Sequence, residues 1–159
     1  MEKYVRPFVD VCKNVFNEFL GYDLTEGRPY MVESGATSEG DVSAIIGLTG
    51  EARGVVVISL KTDMAAKITG ELTGMEHKDV DDDVVDAIGE IVNIIAGNVK
   101  RTLENEIRLI ISLPSIIQGT NHVIRWPGIR GRYIRIPFTL NNEFLFNLSM
   151  AIETVKIGS

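Results

Sequence analysis

Asp86, Glu90 and Asn93 are the residues of this sequence whose types and spacing best suit chemistry. They recur at intervals of four and three, so on a helix turning ~100° per residue they stack along one stripe. With Asp86 set at 0°, Glu90 falls at ~40°, Asn93 at ~−20° and Gly97 at ~20°. Ile88, Ile91, Ile95 and Val99 fall between ~140° and ~220°, on the opposite side. The stripe should therefore face solvent while the isoleucines pack. It carries two acceptor-only carboxylates and an amide that both donates and accepts.

A polar stripe of this kind is also what an ordinary solvated helix face looks like. Two details argue for more. Asp86 and Glu90 are like charges four apart, which costs a few tenths of a kcal/mol, on the order of 0.2–0.5, in an isolated helix. Asn is a mediocre mid-helix residue, and Gly89 and Gly97 each cost ~1 kcal/mol against Ala. The helix physics alone leaves function and plain surface both open.

The stripe has an echo earlier in the chain. Residues 84–97 align with residues 8–21 at an offset of 76: Asp10 matches Asp86, Asn17 matches Asn93 and Gly21 matches Gly97. Phe8, Val9, Cys12, Val15, Phe16 and Phe19 supply the matching apolar positions. Asn14 stands where the second copy has Glu90. Each helix precedes strands ending in a hairpin, so the chain reads as two related halves.

The elements that must position these residues follow from periodicity and breakers. Residues 4–20 predict an amphipathic helix stopped by Gly21. Strands are expected at about Tyr30–Ser34, Asp41–Thr49 and Gly54–Leu60, the last two joined through Gly50-Glu-Ala-Arg53. Gly47 and Gly54 read as hairpin glycines. Thr62 or Asp63 caps a short helix to about Leu72, ended by Gly74. A long helix spans roughly 81–104, and further strands are expected at about Arg108–Leu113, Gly131–Leu140 and Glu143–Glu153. Asn141-Asn142 suits the tight turn between the last two. The order is helix, three strands, two helices, three strands. The fold class is α+β: two helix-plus-three-strand halves forming a mostly antiparallel sheet, with the long helices packed on it. Phe8, Phe16, Phe19, Ile88, Ile91 and Ile95 are the expected contact residues.

Composition bounds the answer. The 159 residues, 45% hydrophobic and 24% charged, suit a single globular domain over 1–159. No apolar run reaches the ~18 residues of a membrane span, and the N-terminus does not read as a signal peptide. Cys12 is the only cysteine, which excludes an internal disulfide and argues against a thiolate metal site. A net charge of −6 disfavours nucleic acid as the main partner. These features predict a soluble, cytoplasmic protein with no membrane association.

Asp86-Ala-Ile-Gly-Glu90-Ile-Val-Asn93, followed by Ser112-Leu-Pro114-Ser-Ile-Ile-Gln-Gly119, resembles the signature of the CheC–CheX chemotaxis phosphatases. There an acidic or Ser residue, a Glu four later, an Asn three later and a distant Pro recur. The two-half layout and nearly the full chain length agree. Family members with two complete motifs are CheC-like; with Asn14 in place of a first Glu, this chain looks CheX-like. Twenty residues (94–113) separate Asn93 from Pro114, slightly fewer than in the family pattern, and Pro114 is expected to serve the strand structurally.

The resemblance implies hydrolysis of the aspartyl-phosphate of a CheY-like response regulator in chemotaxis-type two-component signalling. Such a partner holds its own Mg²⁺, so the chain needs no cofactor or metal of its own. Positioning and electrostatics dominate phosphoryl transfer. The resemblance gives Asn93 the role of orienting the attacking water, Glu90 that of binding a cation on the partner, plausibly the lysine beside its phosphorylation site, and Asp86 that of assisting docking. It also implies a homodimer, for which open sheet edges are a second reason. Phe144-Leu-Phe146 and Val55-Val-Val57 are the candidate pairing strands.

Other constellations compete weakly. The run Asp79, Asp81, Asp82, Asp83 reads as a favourable helix start rather than a metal site, because successive helical carboxylates point apart. His77 and His122 fall in loops without a visible Cys or Ser partner. Arg125, Arg130, Arg132 and Arg135 with Trp126 and Tyr133 form a basic, aromatic stretch, read as a solvated strand face or a patch attracting an acidic regulator rather than a nucleic-acid surface. Two rival functions remain: a non-catalytic module that grips a regulator or flagellar-switch component, and a scaffold whose stripe is only surface.

Overall fold

The computed structural model describes residues 2–125 and 131–155. Helix α1 (Glu2–Leu20) is followed by strands β1 (Thr25–Glu26), β2 (Tyr30–Glu33), β3 (Val42–Gly50) and β4 (Ala52–Leu60). Helices α2 (Thr62–Thr73) and α3 (Asp82–Leu103) come next, then β5 (Leu109–Ile111), β6 (Ser115–Gln118), β7 (Arg132–Leu140) and β8 (Glu143–Thr154). All eight strands form one sheet in the order β1-β7-β8-β4-β3-β5, with β2 also on β7 and β6 also on β3. Every pairing is antiparallel.

The two halves interlock. The hairpins β3–β4 and β7–β8 meet at the centre of the sheet through β4 and β8. The short strands β1 and β2 of the first half pair with β7 of the second, and β5 and β6 pair with β3 of the first. Each half thus has four strands rather than the expected three: β1 is only two residues long, and Ser112–Pro114 separate β6 from β5. The central position of β4 removes Val55–Val57 as a segment to pair between copies, since it has strands on both sides. Val55–Val57 lies between β3 and β8; Phe144–Phe146 pairs with β7 just beyond the end of the β4 ladder, with Leu145 and Phe146 buried in the core. The open edges are β1–β2 and β5–β6.

Helix boundaries follow local chemistry. Asp81 caps α3 by accepting the Val84 N–H at 2.9 Å, and Asp82 and Asp83 sit in the first turn, where the helix dipole favours negative charge. At the end of α1, Gly21 adopts a φ of 69°, and its N–H and that of Tyr22 bond back to Asn17 and Phe16. This is a left-handed glycine stop of the αL type. It also explains the one wrong core assignment. Phe19 lies in the apolar stripe by angle but is 50% exposed. The chain doubles back so that Tyr22, stacked at 6.4 Å on Phe16, supplies the buried ring at that end instead. Asn141 and Asn142 both take positive φ in the β7–β8 turn, as a two-residue hairpin of this twist requires. Gly47 and Gly54 lie within β3 and β4, and Glu51 alone links the strands.

One continuous core joins the helices to one sheet face. Phe8, Phe16, Ile88, Ile91 and Ile95 are buried, with Phe146 stacked between Phe16 and Phe138 at 4.9 and 4.8 Å. Burying each such side chain contributes roughly 1.5–3 kcal/mol, which fixes the rotation of α3 about its axis.

The other sheet face is more polar. Ser43, Ser59, Asn147 and Ser149 are buried there, together with Arg135, which is 4% exposed. Arg135 donates to Ser149 Oγ, the Thr37 carbonyl and Tyr133 Oη, with Glu39 at 3.7 Å. It is therefore an internal strut, not part of a solvated basic face. Arg132 pairs with Glu33 at 2.9 Å and Arg125 is exposed; Trp126 and Arg130 lie outside the described residues. His122 does have a serine partner: its Nε2 is 2.6 Å from Ser43 Oγ, which also meets Ser59 Oγ at 2.7 Å. Ser43 is completely buried, so this pair braces the sheet and offers no accessible nucleophile. Among the described residues, no helix is long and apolar enough to cross a membrane.

Candidate functional site

With Ile88, Ile91 and Ile95 turned into the core, α3 must present Asp86, Glu90 and Asn93 outward. Asp86 and Glu90 are exposed, and Asn93 is half-buried. Among the described residues, no hydrogen bond or ion pair engages any of the three side chains. All three border one groove of about 320 Å³. Val85, Asp86, Gly89, Glu90 and Asn93 form its helical side, and Leu113, Pro114 and Ile116 form the facing side.

The facing side is made by an irregularity in the sheet edge. Ile111 of β5 lies opposite Leu48, and Ser115 of β6 lies opposite Ile45. Three residues, Ser112 to Pro114, thus span the place of only two on β3, Ile46 and Gly47. Such a bulge bends the strand and re-aims its side chains. Ser112 pins it: its N–H donates to the Gly47 carbonyl at 3.0 Å, and its Oγ accepts the Gly47 N–H at 2.9 Å. The same hydroxyl donates to the Leu113 carbonyl at 3.0 Å. Pro114 can occupy this edge because it has no N–H to contribute to a ladder. Its ring faces Gly89, where an added Cβ would lie 3.9 Å from Pro114 Cγ and from Ile116 Cδ1.

All three residues singled out from the sequence are therefore brought together. Sequence reasoning missed the wall opposite them. Leu113, Pro114 and Ile116 read as a strand end and an undefined stretch, and Pro114 proves to line the groove rather than serve the strand alone. A proline inside an apolar run was the available signal for a bulged edge.

The first-half copy differs in charge and in partners. Asp10 is ion-paired with Arg6 at 3.1 Å, and Arg6 also reaches Glu26 at 2.6 Å, with Lys13 3.8 Å from Glu26. At the offset of 76, Arg6 corresponds to Asp82, so the second copy has no matching cation at that place. Asn17 donates to the Tyr22 carbonyl at 3.4 Å. Asp10 and Asn17 of α1 are thus tied to their own chain, whereas their counterparts Asp86 and Asn93 on α3 are unengaged among the described residues.

A family model described as chemotaxis phosphatase CheX matches residues 42–139, which include all of α3 and both walls of the groove. The chain belongs to this family. A curated relative, the CheY-P phosphatase CheX of Thermotoga maritima, is 24% identical over 154 residues, covering 96% of this chain and 97% of the relative. Among solved structures, CheX of Desulfovibrio desulfuricans superposes with a TM-score of 0.82 at 29% identity, covering 95% of this chain and 99% of that one. The CheX–CheY–BeF₃–Mg²⁺ complex of Borrelia burgdorferi gives a TM-score of 0.79 at 29% identity, with 94% and 97% covered. The α+β architecture with its duplicated halves is that of the CheX structures.

The acidic start of α3 gathers His77, Asp81 and Asp83, whose ligand-type atoms lie within 4.8 Å of one another. Local bonding accounts for the arrangement. His77 Nδ1 is 2.9 Å from Asp81 Oδ2, and the other Asp81 oxygen holds the helix cap. The His77 hydrogen bond, with the Val84 N–H next, holds the Asp81 carboxyl below its ordinary value of 3.8.

Proposed function

We propose that this CheX-family phosphatase hydrolyses the aspartyl-phosphate of a CheY-like response regulator at the α3 groove. The observation that carries the reading is the pair Glu90 and Asn93, one turn apart at the groove, with no partner among the described residues. An unengaged amide and carboxylate beside a solvent-open groove are available to a docking protein. The relatives point to the substrate and partner class: one is a CheY-P phosphatase, and another is seen in a CheX–CheY complex.

In this mechanism the regulator supplies the Mg²⁺ and the phosphoryl group, and the chain supplies position and charge. Asn93 enters beside the phosphorus and holds a water in line with the aspartyl oxygen, its Oδ1 accepting a hydrogen bond from that water. Water attack forms the new P–O bond as the P–O bond to the aspartyl carboxylate breaks, giving inorganic phosphate and free aspartate. Glu90, assisted by Asp86, pairs with a cation of the regulator and sets the angle of the helix. Positioning of this kind can supply several of the roughly 7–11 kcal/mol available to well-oriented reactions. The chain needs no metal of its own in this scheme, and the setting is the cytoplasm, where the regulator acts.

The test is loss of phosphate from a Mg²⁺-loaded, phosphorylated CheY-like regulator, followed with and without the chain. Acceleration is expected; binding without acceleration would instead indicate a non-catalytic module. The chain also forms a homodimer in this reading, through the β1–β2 edge, where Tyr30 and Met31 are 42% and 49% exposed and the groove stays free. Light scattering at micromolar concentration should give twice the chain mass, and a monomer mass would reject the dimer.

A further inference from the structure

We propose that Leu113 is a docking residue, an apolar anchor that the bulge holds out for the phosphorylated response regulator and that sets affinity rather than the chemical step. The proposal rests on the groove being the regulator's docking site.

Isolated exposed leucines are common and need no explanation. Leu113 differs in degree and in construction. It is 84% exposed, against 62% for Met75 and 55% for Ile110, the next most exposed large apolar residues among those described. It stands on a bulge whose every local feature fixes it outward. Ser112 satisfies both backbone groups of Gly47 and ties down the Leu113 carbonyl. Pro114 follows, and a residue before proline is confined to extended backbone. A regular β5–β6 ladder would need no extra residue here. The side chain is thus displayed with much of its backbone freedom already removed, which lowers the entropic cost of binding through it.

Its location names the occupant. Leu113 borders the same groove as Glu90, Asn93 and Asp86. Any protein that brings a phosphoryl group and a neighbouring cation to Glu90 and Asn93 must cover Leu113 as well. The partner surface should therefore carry an apolar patch beside its cation. That charge-plus-apolar pattern is the usual make-up of an interface centre, where a few buried anchors carry most of the affinity.

The test uses the full chain with Leu113→Asp and Leu113→Met. Dephosphorylation is measured across regulator concentrations, and binding is measured to a CheY-like regulator loaded with Mg²⁺ and beryllofluoride. Leu113→Asp should raise KM and Kd about tenfold or more, as expected for losing one well-buried apolar anchor, while kcat stays within about twofold. Leu113→Met should restore most of the affinity. Asn93→Ala should show the opposite split, with kcat lost and Kd nearly kept. Unchanged KM and Kd in Leu113→Asp would overturn the proposal, as would a fall in kcat alone or a drop in melting temperature that places Leu113 in the core. If the wild-type chain binds but does not hydrolyse, the phosphatase reading fails by itself, and the Kd comparison still decides the role of Leu113.

Discussion

Gly89→Ala probes how the groove is built. Gly89 is a buried glycine near the middle of α3, facing the Pro114 wall. An alanine there relieves the backbone entropy of a mid-helix glycine, worth about 1 kcal/mol. Its methyl would rest 3.9 Å from Pro114 Cγ and Ile116 Cδ1, an ordinary contact without clash. Burial of that methyl adds at most about 0.8 kcal/mol. The net expectation is stabilisation by about 1–1.5 kcal/mol, or roughly 2–6 °C in Tm for a chain of this size. Urea and thermal denaturation measure the stability, and the phosphate-loss assay measures function, which should stay within about twofold. Gly89→Leu should behave differently: its side chain would fill the space between Glu90, Asn93 and Pro114, and activity should fall at least tenfold, an order-of-magnitude expectation for blocked docking. A destabilised Gly89→Ala would mean that the bulge lies closer to the helix than described. A fully active Gly89→Leu would refute the groove as the docking site.

Two further outcomes follow from the core and the caps. Asp81→Ala removes the α3 cap and should lower Tm by about 2–4 °C at pH 7. The Asp81 carboxyl titrates below 3.8 in the folded chain, so its contribution is fully present above about pH 4 and is lost as the pH falls through the lowered value. The Tm gap between wild type and Asp81→Ala should therefore close in acid; a gap that widens would contradict the assignment. Cys12 is completely buried, and burial pushes its thiol well up from the ordinary range. It should resist a disulfide reagent in the native protein and react on unfolding, and rapid native labelling would contradict its place in the core.

Much of the helix geometry was legible in the sequence. The isoleucines of α3 fix its rotation, so the outward direction of Asp86, Glu90 and Asn93 follows from spacing alone. Gly21, Asp81 and Asn141-Asn142 mark their stops and turns because each residue type solves a specific backbone problem there. What stayed hidden depends on contacts distant in the chain. The pairing of β4 with β8 joins residues about 90–100 apart and puts both apolar hairpin strands in the sheet centre. Arg135 looks solvent-facing in its strand but is enclosed by Thr37 and Glu39 from a remote loop. Phe19 shares the core stripe, yet Tyr22 takes the buried place beyond a turn. Pro114 signals an irregular edge, but its place opposite Gly89 depends on the register of β5 and β6 against the distant β3.

The central claim is that Asn93 on α3 orients the water, and not Asn14, which stands at the Glu90 position of the α1 copy. Phosphorylated, Mg²⁺-loaded CheY-like regulator should be mixed with wild type, Asn93→Ala, Glu90→Ala or Asn14→Ala, and the decay of phosphate followed, with melting curves as folding controls. Asn93→Ala should slow the reaction by on the order of 10² or more, because water positioning is worth several kcal/mol. Glu90→Ala should also reduce the rate, and Asn14→Ala should leave it close to wild type. Full activity of Asn93→Ala with loss in Asn14→Ala would move the site to the wrong helix, and full activity in both Asn93→Ala and Glu90→Ala would contradict the mechanism.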